Sequence, residues 1–375
     1  MKTPDEKASP LFTRREMLAL TGAGAAAVPF LMAGCGSAEE TTTTAAPATT
    51  AAPVDDTSTG PKRLVVSALA YASCPCVGII MVGARNAAEL VGWDYQGILT
   101  DQEDSPDTLN ATYEQSITLQ PDVIIGGMWF DPSEPQAERA MDQGIHFVAV
   151  NTARKEWLAE HNVPYVGQDL YLGGVLVGEE TAKILVERGI TTGHMLTGNV
   201  SPGSLPIEER YRGIADGVAA FNAANGTDFT TEQFPDQSAT LSESIPIWQA
   251  KITEVGDDLV ALAGTSTQTH IANYRIAEEL GWAPGDVIIS GFDTDPIINE
   301  AIETGYSSFT IDQQFFAQGF MAVMQAWQFV ERGMFAPKIY DTGNAVVTAE
   351  KIAAINVRDA SLNDLAGYYG IKLGR

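Results

Sequence analysis

Three cysteines and four histidines are the side chains of this 375-residue chain best suited to nucleophilic or metal chemistry. They are Cys35, Cys74, Cys76, His146, His161, His194 and His270. No histidine lies at metal-ligand spacing from another histidine or from a cysteine, so metal catalysis has little support. The G-x-S-x-G, P-loop and H-E-x-x-H motifs are absent, and no His or Asn is spaced to mark a partner for a catalytic cysteine. The sequence therefore predicts neither an enzyme nor a cofactor.

The charge balance excludes a second class of function. The chain has 22 Lys and Arg against 48 Asp and Glu, which gives a formal net charge of -26. Binding to nucleic acid needs a basic face that neutralises phosphates, and the same holds for a large site on anionic lipid. The acidity indicates solubility and says nothing of a ligand. The length allows two medium domains.

Cys35 ends a segment that reads as an export signal. Arg14 and Arg15 precede a moderately apolar stretch from Met17 to Met32, and the paired arginines suggest the twin-arginine route. The following LMAGCG resembles a bacterial lipobox, in which the cysteine is lipidated after cleavage. A membrane anchor with an incidental cysteine is the alternative, but the stretch is short and rich in Gly and Ala. We expect residues 1–34 to be a signal peptide and the mature chain to be lipid-anchored on the extracytoplasmic face of the cell membrane.

Residues 35–62 are dominated by Thr, Ala and Pro. Such a composition cannot bury enough apolar surface to fold, so this segment is expected to be a disordered linker. Folded structure should begin near Lys62.

Beyond the linker, short apolar runs alternate with segments whose apolar residues recur at helical spacing. The predicted strands are 63–70, 93–99, 122–126, 145–150, 194–197, 259–263, 287–290 and 345–348. The predicted helices are 77–90, 107–120, 135–143, 172–187, 208–225, 269–280 and 316–332. This alternation is typical of parallel sheets with helices on both faces, and its repetition predicts two similar lobes. The cleft between such lobes is the expected ligand site.

Five motifs follow one another along this pattern. They are Cys74-Pro75 through Gly83-Ala84 to Gly92-Trp93; Val166-Gly-Gln-Asp169 with Gly173-Gly174; Glu209-Arg-Tyr-Arg-Gly213; Ser290-Gly-Phe-Asp293; and Thr310-Ile-Asp-Gln313. In this order they resemble the type I periplasmic solute-binding proteins of the ribose and galactose kind, from Arg63 to about Val357. The resemblance implies an α/β fold of two doubly wound parallel-sheet lobes with a three-crossover hinge and a ligand cleft between the lobes.

The same resemblance implies boundaries for the lobes. The N-terminal lobe is expected to comprise residues 63–167 and 314–341, and the C-terminal lobe residues 168–313 and 342–357, with 358–375 as a tail. The chain is expected to cross between lobes near Val166–Asp169, Gln313–Gln314 and Asp341–Gly343.

Carrying the family's cleft residues over by motif implies ligand contacts from Arg210, Asp293 and Gln313. A guanidinium offers fixed paired donors to vicinal hydroxyls, and a carboxylate accepts from them. For Arg210 the alternative is a surface salt bridge with a neighbouring glutamate. For Asp293 it is a turn residue before Pro296.

The chain departs from the family in the first lobe. Asn151-Thr152 stands where sugar binders often place Asp-Arg, and Pro75-Cys76-Val77 stands where they often place stacking aromatic residues. Trp129, Phe130 or Tyr71 could supply an apolar wall for a sugar instead, and packing between the lobes is the alternative for Trp129. The first-lobe candidates for ligand contact are Asn151, Tyr71, Ser73, Cys76 and Trp129, and Thr265 is a further candidate in the second lobe.

The implied function is capture of a sugar or sugar-like polyol by a monomeric lipoprotein that passes it to the permease subunits of an ABC-type importer. A sensor that presents its ligand to a membrane receptor, such as the signal autoinducer-2, is the alternative with the same fold. A transcription regulator of this fold is excluded by the export signal and by the absence of an N-terminal pair of DNA-binding helices.

The Cys74-Pro75-Cys76 loop leaves three interpretations open. Pro75 suits the first position of the following helix, because its missing N–H is not needed there. The loop follows a strand and should face the cleft. The thiols could be free wall residues, a disulfide favoured by an oxidising compartment, or ligands of a soft metal. We expect two free thiols.

Overall fold

The computed structural model describes residues 62–69, 75–98, 105–130, 133–236, 241–335, 338–343 and 345–373. The predicted signal peptide, the linker up to Pro61 and the lipidation site Cys35 lie outside these described residues. No helix in the described part of the chain is long and apolar enough to cross a membrane.

Strands and helices alternate from Leu64 onward. The first part contains β1 (Leu64–Ala68), α1 (Pro75–Val91), β2 (Asp94–Ile98), α2 (Pro106–Thr118), β3 (Val123–Gly126), α3 (Glu134–Asp142), β4 (His146–Val150), α4 (Lys155–His161) and β5 (Tyr165–Gly167). The second contains α5 (Leu170–Glu187), β6 (Thr192–Asn199), α6 (Leu205–Asn225), β7 (Asp228–Pro235), α7 (Leu241–Val255), a 3-10 turn (Gly256–Asp258), β8 (Leu259–Ala263), α8 (Thr267–Glu279), β9 (Ile288–Phe292), α9 (Pro296–Glu303) and β10 (Ser307–Asp312). The chain ends with α10 (Phe315–Arg332), β11 (Ile339–Asp341), β12 (Ala345–Val347) and α11 (Ala349–Tyr369).

The strands form two six-stranded sheets, in the orders β11-β5-β4-β3-β1-β2 and β12-β10-β9-β8-β6-β7. All neighbours pair in parallel except β10 and β12, which are antiparallel. In each sheet the first strand of the unit lies inside, with the chain wound outward in both directions, which is the doubly wound arrangement. The predicted fold class is confirmed.

The chain passes between the sheets three times. It leaves the first sheet after β5, returns after β10 and leaves again between β11 and β12. Helix α10 packs on α1 and on strands β3, β4 and β5, so it belongs to the first lobe. The three predicted crossovers between the lobes are therefore present.

Buried aliphatic strands hold each lobe together. In the first sheet, Val65 and Val66 of β1 pair with Val123 and Ile124 of β3, and all four side chains are buried. Runs of this kind, with both faces covered by helices, explain why these strands are apolar throughout rather than alternating.

Glycines allow the close contact between α1 and α10. A Cβ added to Gly83 would lie 2.1 Å from the carbonyl oxygen of Phe316, and one added to Gly319 would lie 1.9 Å from that of Ile80. No larger residue fits at either position unless the helices separate. This contact fixes the start of α10 directly after the second crossover.

Several elements differ from the sequence-based expectation, among them α4, α9 and β11, which were not predicted. Strand β7 and helix α7 fall in a stretch for which no element was predicted. In β7 only Phe229 and Phe234 are buried because it is an edge strand, so its apolar signal is weak. Residues 358–369, expected to form part of a tail, continue helix α11.

Candidate functional site

Polar side chains that are buried in the structure follow the carboxyl ends of strands in both sheets. Asn151 directly follows β4, Asp293 follows β9 and Gln313 follows β10, while Thr265 lies two residues beyond β8. The carboxyl ends of parallel strands are where open α/β sheets bind ligands. The sequence-predicted residues are thus placed at the expected edge of each sheet, and their contact with a ligand stays a prediction.

Arg210 is held by the packing of α6 on α5. A Cβ added to Gly174 of α5 would lie 2.1 Å from the carbonyl oxygen of Arg210, so glycine lets the two helices approach closely here. The guanidinium donates to the carbonyl oxygen of Thr265 (2.8 Å) and to Oε1 of Gln168 (3.3 Å). It also lies 4.2 Å from the ring centre of Phe292, a cation–π distance.

These contacts decide against the surface salt bridge. Arg210 is 5% exposed. Glu208 accepts hydrogen bonds from the Asn199 amide and from the backbone N–H of Gly203, and Glu209 pairs with Arg212. Arg210 instead projects into the polar group at the strand ends.

Asp293 adopts φ +76°, a left-handed conformation that is costly for a residue with a Cβ. Its carboxylate accepts a 2.6 Å hydrogen bond from the hydroxyl of Thr267 and another from the side-chain amide of Gln313. The alternative role of a turn residue before Pro296 belongs to a different carboxylate, because Asp295 accepts from the N–H of Ile297 and caps α9. Asp293 and Gln313 are joined as a donor–acceptor pair.

In the first lobe, Asn151 is also left-handed, with φ +63°. Its Oδ1 accepts from Nε1 of Trp129 (2.9 Å) and from the hydroxyl of Thr152 (3.1 Å), and its Nδ2 donates to Oε1 of Gln318 (3.0 Å). Trp129 is buried in the core cluster of the first lobe. The tryptophan is therefore held in position by the side-chain amide of Asn151.

Gln318 was not foreseen from the sequence. This fully buried side chain on the first turn of α10 accepts from Asn151 and donates to the carbonyl oxygen of Gln313 (3.1 Å) and to the hydroxyl of Thr342 (3.4 Å). Thr342 lies in the third crossover and donates its N–H to the carbonyl oxygen of Gly167 in the first (3.0 Å). Hydrogen bonds thus connect all three crossovers. The sequence feature that could have identified Gln318 is its position, a glutamine on the face of an otherwise largely apolar helix that packs into the core.

Two cavities are each lined by residues of both lobes. One, of about 220 Å³, includes Cys76 and Phe316 from the first lobe and Thr267 and Asp295 from the second. The other, of about 360 Å³, includes Ala153 with Leu205 and Glu209 and reaches Gln168. Hydrogen bonds link each cavity to the polar group, because Thr267 donates to Asp293 and Gln168 accepts from Arg210.

His270 is a buried residue that contacts the backbone next to Asp293. Its ring nitrogens lie 2.8 Å from Oγ of Ser307 and 3.3 Å from the carbonyl oxygen of Phe292, the residue before Asp293. Burial lowers the pKa of His270 to about 4, so the ring is neutral at neutral pH. A neutral imidazole here contributes hydrogen bonds and packing without charge.

The state of Cys76 differs from the free thiol expected from the sequence. It is disulfide-bonded, so the predicted free thiol at this position is wrong. The oxidising conditions outside the cytoplasm favour such a bond over a free thiol. The helix begins at Pro75 as predicted. Tyr71, Ser73, Cys74 and Cys35 lie outside the described residues, so their predicted roles stay predictions.

The arrangement is suited to binding rather than to chemistry on a substrate. It offers one guanidinium, one carboxylate, amides and hydroxyls, which together donate to and accept from a neutral polar molecule. Within the described residues, no group of three or more His, Cys, Asp or Glu side chains could hold a metal ion.

Comparison with known proteins agrees with this reading of the fold. A structure of an ABC transporter solute-binding protein from Burkholderia graminis, in complex with D-arabinose, superposes with a TM-score of 0.68 at 20% identity, covering 78% of this chain and 98% of that chain. A carbohydrate transporter protein from Acidothermus cellulolyticus, in complex with myo-inositol, gives a TM-score of 0.65 at 20% identity, covering 80% and 98%.

Sequence comparison points the same way. The xylose/arabinose-binding protein of Sulfolobus acidocaldarius is 25% identical over 285 residues, which covers 72% of this chain and 67% of that protein. The model of the periplasmic binding protein domain matches residues 79–333, which is more than half of the chain. Members of that family bind substrates and are not enzymes. The chain belongs to the periplasmic binding protein domain family, of the type I fold.

Proposed function

We propose that this protein captures a sugar or a sugar-like polyol between its two lobes and delivers it to an ABC-type importer. One observation carries the proposal. Buried hydrogen bonds run from Asn151 of the first lobe through Gln318 to the backbone of Gln313, whose side-chain amide donates to Asp293 of the second lobe. Buried, charge-assisted hydrogen bonds are the interactions that select a polyol by its hydroxyl pattern.

The relatives support this ligand class. Proteins of the same fold are named for xylose and arabinose or are solved with D-arabinose and myo-inositol. All of these are neutral polyhydroxylated molecules. The donor and acceptor set of this site, with a single guanidinium and a single carboxylate, suits the same class.

Each side chain has a proposed role. Arg210 donates to adjacent hydroxyls, Asp293 accepts from them, and Gln313 orients the carboxylate and offers its carbonyl oxygen. Trp129 supplies an apolar wall for the carbon face of the ring. Thr265, Cys76, Tyr71 and Ser73 complete the proposed lining.

Capture is proposed to proceed by hinge closure. The moving bodies are residues 63–167 with 314–341 and residues 168–313 with 342–357, joined by the three crossovers. Rotation about a few crossover residues is the usual way in which two-lobed binding proteins enclose a ligand. The left-handed conformation of Gln314, with φ +56°, places a strained residue in the second crossover.

We further propose that the protein is an exported, monomeric lipoprotein. The twin arginines, the short apolar stretch and the lipobox before Cys35 support an extracytoplasmic position with a lipid anchor. The partner that receives the sugar is then the permease of the importer in the same membrane.

A thermal-shift screen tests the ligand class. The folded protein is heated with pentoses, hexoses, inositols, autoinducer-2 and amino acids in parallel. A sugar or inositol present at a hundred times its Kd should add about 2.7 kcal/mol to the free energy of unfolding. Stabilisation by amino acids alone, or by autoinducer-2 alone, would contradict the proposal.

A further inference from the structure

Helix α11 lies beyond the part of the chain that matches the family model, which ends at residue 333. It directly follows β12, an edge strand of the second sheet, and its last residues pack against α1 of the first lobe. A helix of 21 residues is about 31 Å long at 1.5 Å per residue, enough to reach from one lobe to the other.

The first half of α11 is fastened to the second lobe. Ile352 packs with Ile298 and Ile302 of α9 in a buried cluster. Asn356 donates to Oε1 of Glu303 (2.6 Å) and accepts from Nδ2 of Asn299 (2.8 Å). Apolar burial and two side-chain hydrogen bonds therefore join α11 to α9.

The middle of α11 reaches the hinge. Arg358 forms an ion pair with Asp312, the last residue of β10, and donates to the hydroxyl of Thr294 (3.0 Å). Asp312 immediately precedes Gln313, the candidate ligand residue. Its side chain is almost completely buried, so this ion pair is shielded from solvent on the Asp312 side.

The last turn of α11 is fastened to the first lobe. Tyr369 is 7% exposed and packs with Val82 of α1. Its hydroxyl accepts from Asn86 (3.1 Å) and donates to Glu89 (2.9 Å), while Arg85 donates to its carbonyl oxygen (2.9 Å).

The residues after α11 add to this contact. The guanidinium of Arg85 lies 4.6 Å from the ring centre of Tyr369. Gly78 leaves room for the chain end, because a Cβ there would lie 2.6 Å from Cδ2 of Leu373. The first-lobe contact thus extends along α1 from Gly78 to Glu89.

We infer that α11 is a bridge that stabilises the closed arrangement of the lobes and thereby raises ligand affinity. The inference rests on the hinge closure proposed above. Both ends of the helix are fastened in the same structure in which Arg210, Asp293 and Asn151 are buried. Rotation of the lobes displaces α1 relative to α9, and a packed helix does not stretch, so opening must release one end.

The end that releases is the one at Tyr369. The other half of α11 is held by an apolar cluster and by the buried ion pair next to the hinge, whereas the first-lobe end is held by the smaller buried cluster of Val82, Ala366 and Tyr369 and by the hydrogen bonds of Tyr369. Opening therefore loses the Tyr369 contacts, and the open state is less populated than it would be without them. A ligand bound by the closed form gains apparent affinity as that form becomes more populated.

Tyr369→Ala in the full chain tests the bridge, with Tyr368→Ala as the matched control. Tyr368 is the adjacent residue on the same helix and is 80% exposed. Donor and acceptor fluorophores are attached through ketone-bearing amino acids at Leu119 in the first lobe and Leu280 in the second, both partly exposed. The distance distribution between them is measured without ligand by single-molecule energy transfer, so the result does not depend on which sugar binds.

We expect Tyr369→Ala to raise the ratio of open to closed form by about tenfold, the change produced by losing 1.4 kcal/mol of contacts made only when closed. Tyr368→Ala should match the wild type. Tyr369→Phe keeps the ring and loses only the hydrogen bonds of the hydroxyl, so it should raise the ratio of open to closed form by a smaller factor. This variant carries the test if Tyr369→Ala proves unstable. Equal distributions in the wild type and both Tyr369 variants would overturn the bridge. A failed sugar screen would overturn the proposed function and leave this comparison unaffected.

Discussion

Nδ2 of Asn151 donates a 3.0 Å hydrogen bond to Oε1 of Gln318, a residue 167 positions further along the chain. This bond joins the end of β4 to the first turn of α10. Gln318 also donates to the backbone of Gln313 and to the hydroxyl of Thr342, so one buried amide positions the first-lobe side of the site and two of the crossovers. Its position explains why a polar residue occupies the core of an apolar helix.

Gln318→Leu should destabilise the fold and weaken sugar binding together. The substitution leaves Asn151, Gln313 and Thr342 without this partner, and each buried polar group left unpaired costs roughly 1–3 kcal/mol. Urea unfolding monitored by circular dichroism measures the loss. Gln328→Leu, ten residues further along the same helix and only partly buried, is the control and should change the free energy of unfolding by less than about 0.5 kcal/mol. Equal stabilities for the two variants would refute the role given to Gln318.

Cys76 should contribute no free thiol. We expect the purified soluble chain that begins after Cys35 to show no reactive thiol when denatured, and two after reduction, because its two cysteines would be joined to each other. Ellman's reagent in denaturant gives the count. Two thiols without reduction would contradict a bond between Cys74 and Cys76. The disulfide of Cys76 would then be absent, or its partner would be Cys35, which this soluble chain lacks.

Stability should fall as the pH drops from about 6.5 to about 4. Burial lowers the pKa of both His270 and His146 to about 4, while the unfolded chain takes up these protons near 6.5. Their stabilising contribution is complete above pH 6.5 and is lost as the pH falls through this window. For His270 the loss is roughly 3 kcal/mol, since one pKa unit corresponds to about 1.4 kcal/mol.

His270→Gln isolates that contribution, because glutamine does not titrate. The free energy of unfolding is measured in urea at a series of pH values for the wild type and the variant. Between pH 6.5 and 4 the free energy of unfolding should fall less steeply with pH for the variant than for the wild type. The difference in slope should correspond to at most one proton. Parallel curves of unfolding free energy against pH for the two proteins would contradict this, because they would mean that His270 has the same pKa in the folded and unfolded states.

Lipidation of Cys35 is expected to hold the protein at the membrane. Replacing Cys35 with Ala removes the atom that carries the lipid, so the precursor should stay uncleaved or the protein should be released from the membrane. Fractionation of cells that express each form, with labelling by a fatty-acid analogue, shows the difference. Unchanged processing and unchanged lipid labelling in Cys35→Ala would contradict the anchor.

The fold class was predictable because its signals are local. Short aliphatic runs such as β8 stand out, and the observed strand matches its predicted bounds of 259–263. Edge strand β7 was missed because most of its residues are not buried. Helix α11 buries only Ile352, Ala366 and Tyr369, so it lacks a continuous apolar stripe, and its end reads as a tail.

The candidate site was only partly predictable. Arg210, Asp293 and Gln313 stand in motifs whose order along the chain resembles the family, so resemblance rather than periodicity placed them. Their partners depend on contacts between distant segments, and nothing in the residues near Gln318 or Thr342 indicates the crossovers they join. At Cys76 the free thiol expected from the packing preference of buried cysteine is replaced by a disulfide, which an oxidising compartment favours.

Titration calorimetry on Arg210→Ala, with Arg212→Ala as control, tests the central claim most directly. Both arginines lie on α6, but Arg210 is buried at the strand ends whereas Arg212 is exposed. With the sugar or inositol that stabilises the wild type most, Arg210→Ala should weaken binding by about 2–4 kcal/mol, roughly 30-fold to 1,000-fold in Kd, because it leaves ligand hydroxyls unpaired in a closed site. Arg212→Ala should bind as the wild type does. Wild-type affinity in a folded Arg210→Ala protein would contradict the account.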